Sequence, residues 1–227
     1  MTTPSGNAKL SMQFAGRGRL EGHPPGNVDG VRFEGRFVIY SMNGTRGPIF
    51  GPDVSLFDPI AVDGFGRGPQ SAHFVAVRSG YTLEGFETSS DTLVGHTIGR
   101  ASASTRLRVY FDAEPDGSRD FDVRETFFNG TLIATYAAEE FFQIDTRAEV
   151  FDTRVTYTLL ESVPFEFRGQ TADLADFAPH MSELSHGHLP EPDPNPEIIP
   201  LEEPFLNSGP GVFANHFPVG GTLLSAG

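Results

Sequence analysis

The chain has no cysteine and no tryptophan, a single lysine (Lys9), and no basic residue of either kind after Arg168. Without Cys there can be no disulfide, no thiolate metal site and no Cys nucleophile. The shortage of cations leaves a net charge of −14, with 16 Lys and Arg against 30 Asp and Glu. That balance excludes the broad basic surface needed to neutralise nucleic-acid phosphates and disfavours docking on an anionic membrane. No apolar run approaches the length of a membrane span, so no membrane insertion is expected. The opening MTTPSGNAKL carries neither the basic nor the apolar region of a secretory signal. A soluble, cytoplasmic protein is the expectation.

What is abundant is Phe, at 21 residues. Large aromatic side chains either fill a core or line an apolar ligand cavity. Gly and Pro punctuate the chain into short segments, and within these segments the period is two. Leu10, Met12 and Phe14 alternate with polar neighbours. So do Phe33, Gly35, Phe37 and Ile39, then Leu107, Val109 and Phe111, and later Phe151, Thr153, Val155, Tyr157 and Leu159. Strict alternation marks half-buried antiparallel strands. Ser71 to Glu87 is apolar on both faces and reads as a strand buried on both sides. Asn129-Gly130 sits between the alternating runs Phe121–Phe127 and Leu132–Tyr136, the strongest short signal for a two-residue hairpin. The run Thr135–Gln143 is read as strand rather than helix. Residues 91–101 are left open between strand and loop. The fold class is therefore all-β: a single antiparallel barrel or sandwich over residues 8–168.

Two stretches do not fit that pattern. Residues 45–70 are too rich in Gly and Pro for a helix or central strand, yet carry Ile49, Phe50, Leu56, Phe57 and Phe65. A long loop with such side chains must lay them on something, as a lid or barrel plug or as a cover over one end of the core. Residues 169–227 hold half of the chain's 18 prolines. Thr171 is a candidate cap for a short helix, and the PEPDPNPEIIP tract forces extended geometry. This part is expected to be a long, acidic, Pro-rich arm laid along a groove, on its own barrel or on a neighbour's.

Candidate chemistry is sparse. No phosphate loop and no GxSxG elbow is present. His180, Glu183, His186 and His188 lie close together, but without the spacing of a zinc motif and among loop residues. No metal and no cofactor is expected. On the strands, Arg108, Tyr110 and Glu125 are the candidate acid–base residues, because a carboxylate in an apolar pocket has a raised pKa and a Tyr beside an Arg polarises a carbonyl. Tyr136, Tyr157, His73 and Phe57 are the candidate ligand contacts. Two function classes stay open. One is a barrel that binds a small apolar molecule and isomerises or cyclises it by acid–base chemistry, with residues 45–70 as lid. The other is a structural subunit, a homo-oligomer or assembly partner whose C-terminal arm clasps a neighbour.

Overall fold

A computed structural model of the chain describes residues 10–22, 32–44, 47–88, 96–145, 150–188 and 213–225. The strands are β1 Leu10–Gly22, β2 Arg32–Gly44, β3 Gly47–Pro48, β4 Phe74–Thr88, β5 His96–Ala101, β6 Arg106–Phe111, β7 Thr131–Asp145, β8 Val150–Ser162, β9 Phe165–Phe167, β10 Gln170–Ala172, β11 His180–His188 and β12 Phe213–Ser225. Two short helices are added, α1 Pro59–Phe65 and α2 Leu174–Phe177. Among the described residues no helix is long and apolar enough to cross a membrane.

The strands close on themselves. Neighbours run β2, β1, β12, β11, β8, β7, then β5 and β6 side by side along the chain direction, then β4, which pairs back to β2. With β5 and β6 sharing one position, this is a closed antiparallel barrel of eight staves. Closure pairs each of these eight staves on both sides among the described residues, and so removes the open sheet edges on which another chain could template. The alternation read from the sequence is the alternation of the wall. In β8, Thr153, Val155 and Tyr157 are buried while Asp152, Arg154, Thr156 and Thr158 are exposed. In β11, Met181, Glu183, Ser185 and Gly187 are buried while His180, Ser182, Leu184 and His186 are exposed.

One sector is buried on both sides, as expected for β4: Phe33–Ile39 and Ser71–Arg78 are buried without a break. Its outer face is covered by the segment between β6 and β7. Glu34 accepts from Arg36 Nε at 2.9 Å and from Arg124 Nε at 2.8 Å, and Arg36 Nη1 donates to the Phe121 carbonyl at 2.5 Å. Arg119 ties this cover to its neighbour, donating to the Ala72 carbonyl at 2.6 Å and to Asp112 at 2.7 Å. At the end where β2 finishes and β4 begins, Phe50, Phe74, Phe111, Phe165 and Phe167 pack ring on ring at centroid distances between 5.0 and 6.2 Å. Five of the 21 Phe thus fill the barrel end with area that water would otherwise hydrate.

Five expectations need correction. Phe121–Phe127 is not a strand: Arg124–Phe128 is a 3-10 turn, and β7 pairs with β6 through Thr131 and Phe111. Asn129 is extended (φ −68, ψ 140) and only Gly130 has positive φ, so the pair is not the type I′ hairpin, which needs both. Residues 45–70 do contain a helix. Asp58 caps it, accepting from the amides of Ile60 and Ala61 at 2.9 Å each, with Pro59 in the first turn and Gly66 (φ 76) ending it, the arrangement that suits Pro and Gly to helix ends. The short helix near residue 174 is capped by Asp173, while Thr171 lies in β10. Finally, the barrel does not end at Arg168. β11 and β12 are two of its staves, with β12 bridging β11 to β1 along their length. The Pro-rich tract, at residues 189–212, lies outside the described residues.

Gly130 (φ 103) has a second constraint, since a Cβ there would sit 2.6 Å from the Phe111 carbonyl oxygen. Gly130→Val should therefore destabilise the protein by at least about 1–2 kcal/mol, read as a lower urea midpoint with unchanged slope. An unchanged midpoint would show that the turn does not need glycine.

Candidate functional site

The inward side of a small barrel is normally filled by apolar side chains. Here the middle of the lumen is charged. Arg78, on β4, lies opposite Gly35 of β2, and its guanidinium spans the lumen to the far wall. Nη1 donates to Glu183 Oε1 at 3.0 Å and to the Tyr157 hydroxyl at 3.2 Å, and stands 3.5 Å from Glu140 Oε2. The two carboxylates share a row of the wall, since Glu140 of β7 and Glu183 of β11 both register with Val155 of β8 between them. The Tyr157 hydroxyl donates to Glu183 Oε2 at 2.5 Å, and Ser185 Oγ donates to Glu183 Oε1 at 2.6 Å. Thr153 hydrogen-bonds Ser185 in turn.

The guanidinium also rests on aromatic faces, 4.9 Å from the Phe33 centroid and 5.5 Å from that of Phe37, a cation–π contact strengthened by desolvation. Gly35 makes this packing possible. A Cβ at that position would meet the Phe37 ring at 2.2 Å. Burial raises the Tyr157 phenol well above its ordinary value, and the charge of Glu183 adds to it. Burial likewise raises Tyr136, whose ring stands 6.3 Å from that of Tyr157. Both phenols are neutral donors across the physiological range. The Tyr136 hydroxyl finds no hydrogen-bond partner among the described residues.

A second feature lies at the aromatic end. A pocket of about 270 Å³ opens between the last residues of β2 (Tyr40 to Asn43) and the segment Pro48–Phe57, with Arg67 at its side. Met42, Phe50, Leu56 and Phe57 give it a buried apolar floor. The Tyr40 ring lies 5.3 Å from that of Phe57, and Arg67 stands 6.0 Å over the Phe57 ring. The covering segment is pinned rather than loose. Ile49 donates to the Met42 carbonyl at 3.1 Å, His73 to that of Leu56 at 3.0 Å, and Gln170 Nε2 to that of Phe50 at 3.0 Å.

The residues singled out from sequence fall in four places. Tyr136 and Tyr157 come together in the lumen. Phe57 forms the floor of the pocket. His73 lies beside the aromatic cluster, 5.0 Å from the Phe167 ring, with Nδ1 2.8 Å from the Asp112 carbonyl. Arg108, Tyr110 and Glu125 are not gathered around a common pocket among the described ones. Arg108 donates to Ser79 at 3.0 Å, Tyr110 packs edge-on to Phe128 at 5.7 Å, and Glu125 is exposed on the 3-10 turn. Of the His-rich set, Glu183 faces inward and His180 and His186 outward, so one strand splits them between its faces. Among the described residues no group of three or more His, Asp or Glu is placed to hold a metal ion.

Sequence reasoning missed Arg78, Glu140, Ser185 and the inward role of Glu183. The signal was phase. Glu140 keeps step with Tyr136 and Ala138, and Glu183 keeps step with Met181. Comparison of the chain with family models, with curated proteins and with solved structures finds none that matches.

Arg78→Met leaves two buried carboxylates without their shared cation. Breaking a buried ion pair from one side costs about 3–5 kcal/mol, which urea unfolding at neutral pH would read directly. A loss within the error of the measurement would mean the network is incidental. His73 gives a pH prediction. Burial, aided by Arg168, lowers its pKa, against the pull of the Asp112 carbonyl and of the Asp58 and Asp112 charges. The folded state therefore favours the neutral ring. Its stabilising contribution is complete above the ordinary value of about 6.5 and is lost as pH falls below it. The melting temperature of the native protein should drop more steeply between about pH 7 and about pH 5 than that of His73→Gln. Parallel curves would refute this.

Proposed function

We propose that the protein binds a small, mainly apolar molecule, and that it does so in the pocket under the Pro48–Phe57 segment. The observation that carries this reading is the pocket's lining, a buried apolar floor with a few polar groups at the rim, which is the usual make-up of ligand sites. Its volume of about 270 Å³ equals about nine waters at roughly 30 Å³ each, so the occupant is a single ring or a short chain. The pinned cover supports the same reading. A preformed pocket avoids the ordering cost that a mobile lid would impose on binding.

The acid–base groups nearest to a reactive constellation are those of the lumen: Arg78, Glu140, Glu183 and Tyr157. Buried ionisable groups are more costly than a packed apolar core of the same volume, and such groups concentrate at functional sites. None of them lines the pocket under Pro48–Phe57, so the reading for that pocket is binding of the ligand rather than its isomerisation or cyclisation.

A second reading, a subunit in an assembly, draws support from the outer wall. Phe141 and Leu184 are 63% and 58% exposed and lie on one row, either side of Arg154. They border a groove of about 580 Å³.

The test is an amide NMR titration with benzyl alcohol. Shifts should be confined to residues 40–43 and 50–57, and Val54→Trp, which fills the space, should abolish them. Shifts scattered over the surface, or retained in that variant, would sink the reading. A mass in solution of twice the monomer, reduced by Phe141→Ser with Leu184→Ser, would support the assembly reading instead.

A further inference from the structure

Resting on the pocket reading just given, we infer that the ligand is a small carboxylate with an apolar body, its acid group bound by Arg67. The inference starts from an unspent cation. The chain has few basic residues, and five of the arginines in the described regions are committed to carboxylates. Arg36 and Arg124 serve Glu34, Arg78 serves Glu183, Arg119 serves Asp112 and Arg17 serves Asp122. Arg67, like Arg154, has neither an ion pair nor a side-chain hydrogen bond among the described residues, and of the two it is Arg67 that lines this pocket, its guanidinium over the face of Phe57. That contact sets the guanidinium plane beside the pocket without using its hydrogen-bond donors. A stacked guanidinium with free donors is suited to grip a carboxylate in a bidentate pair.

The geometry places the two halves of such a ligand. The apolar body rests on Met42, Leu56 and Phe57 with Tyr40 alongside, and the acid group reaches the rim where Arg67 stands. One group at the rim opposes this. Asp53 also lines the pocket and is exposed. Its charge disfavours an anion, but it is not paired with Arg67 and is screened by solvent. It therefore tunes the affinity. Charge excludes the other classes unequally: an amine would meet Asp53 but be repelled by Arg67, and a neutral ligand would leave the Arg67 donors to water.

The experiment compares three probes of one shape: benzoate, benzyl alcohol and benzylamine. Each is titrated by NMR into the full-length protein and into Arg67→Gln and Asp53→Asn. Both side chains are exposed, so both variants should keep the native spectrum. Benzoate should bind tightest. Arg67→Gln should weaken it about tenfold while leaving benzyl alcohol unchanged, and Asp53→Asn should strengthen it. Rising salt should weaken benzoate alone. Equal affinity for benzoate and benzyl alcohol, or no effect of Arg67→Gln, would overturn the inference and leave the pocket reading standing. Tightest binding of benzylamine, lost in Asp53→Asn, would overturn it in favour of a cation. Binding of none of the three would overturn both.

Discussion

The arrangement of the lumen depends on one guanidinium. Arg78 crosses from β4 to the opposite wall and there meets Glu183, Tyr157 and Glu140. Each of those groups is buried by closure of the barrel, and each would be costly to bury alone. The cation makes the pair of carboxylates tolerable, and the carboxylates do the same for the cation. Phe33 and Phe37 are drawn into the arrangement as the surface on which the guanidinium lies, and Gly35 as the absence that lets them. A change at any one of these positions is therefore felt by strands on both sides of the barrel.

Outside the wall, the same logic recurs at smaller scale. Buried arginines hold the two covering segments. Arg36, Glu34 and Arg124 clamp the segment between β6 and β7, and Arg119 reaches backbone carbonyls at Pro69 and Ala72. Arg suits this task because its planar fork can satisfy several acceptors at once. The covers are thus fixed to the barrel by directional contacts as well as by Phe, Val and Leu packing, and the pocket beneath Pro48–Phe57 inherits that rigidity.

The wall was legible wherever its inward side is apolar. Leu10, Met12 and Phe14 announced β1, and Leu107 and Val109 announced β6, because water on one side and core on the other impose a period of two. The run Thr135–Gln143 read correctly as strand. β11 was missed for the converse reason. Its inward residues include Glu183 and Ser185, so the apolar signal that defines a face was absent from the face that matters. β12 was hidden by company, since it follows a Pro-rich tract that dominates the composition of the last sixty or so residues. Asn129-Gly130 misled because a dipeptide reports local φ preference and not the partner of the strand that follows. Of the candidate residues, Tyr136, Tyr157 and Phe57 were reachable from their strand or loop context. Arg78 was reachable only by asking why a charge stands in phase with Phe74 and Ala76, and Arg67 only by knowing what the chain folds beneath it.

The pairing of Leu10 with Ser225 has a consequence for the order of events in folding. Wall contacts from β2 through β8 can form while the later chain is still being made, but the last seam waits for the strand Phe213–Ser225. Until then β1 and β11, the two partners of that strand, are both bare edges, and a growing chain presents them to whatever else is in reach. The stave that closes the ring joins residues separated by nearly the whole sequence, the kind of contact that slows folding most. The hazard of this architecture therefore lies in the interval before closure, when a wall whose staves will all be paired briefly has two bare edges.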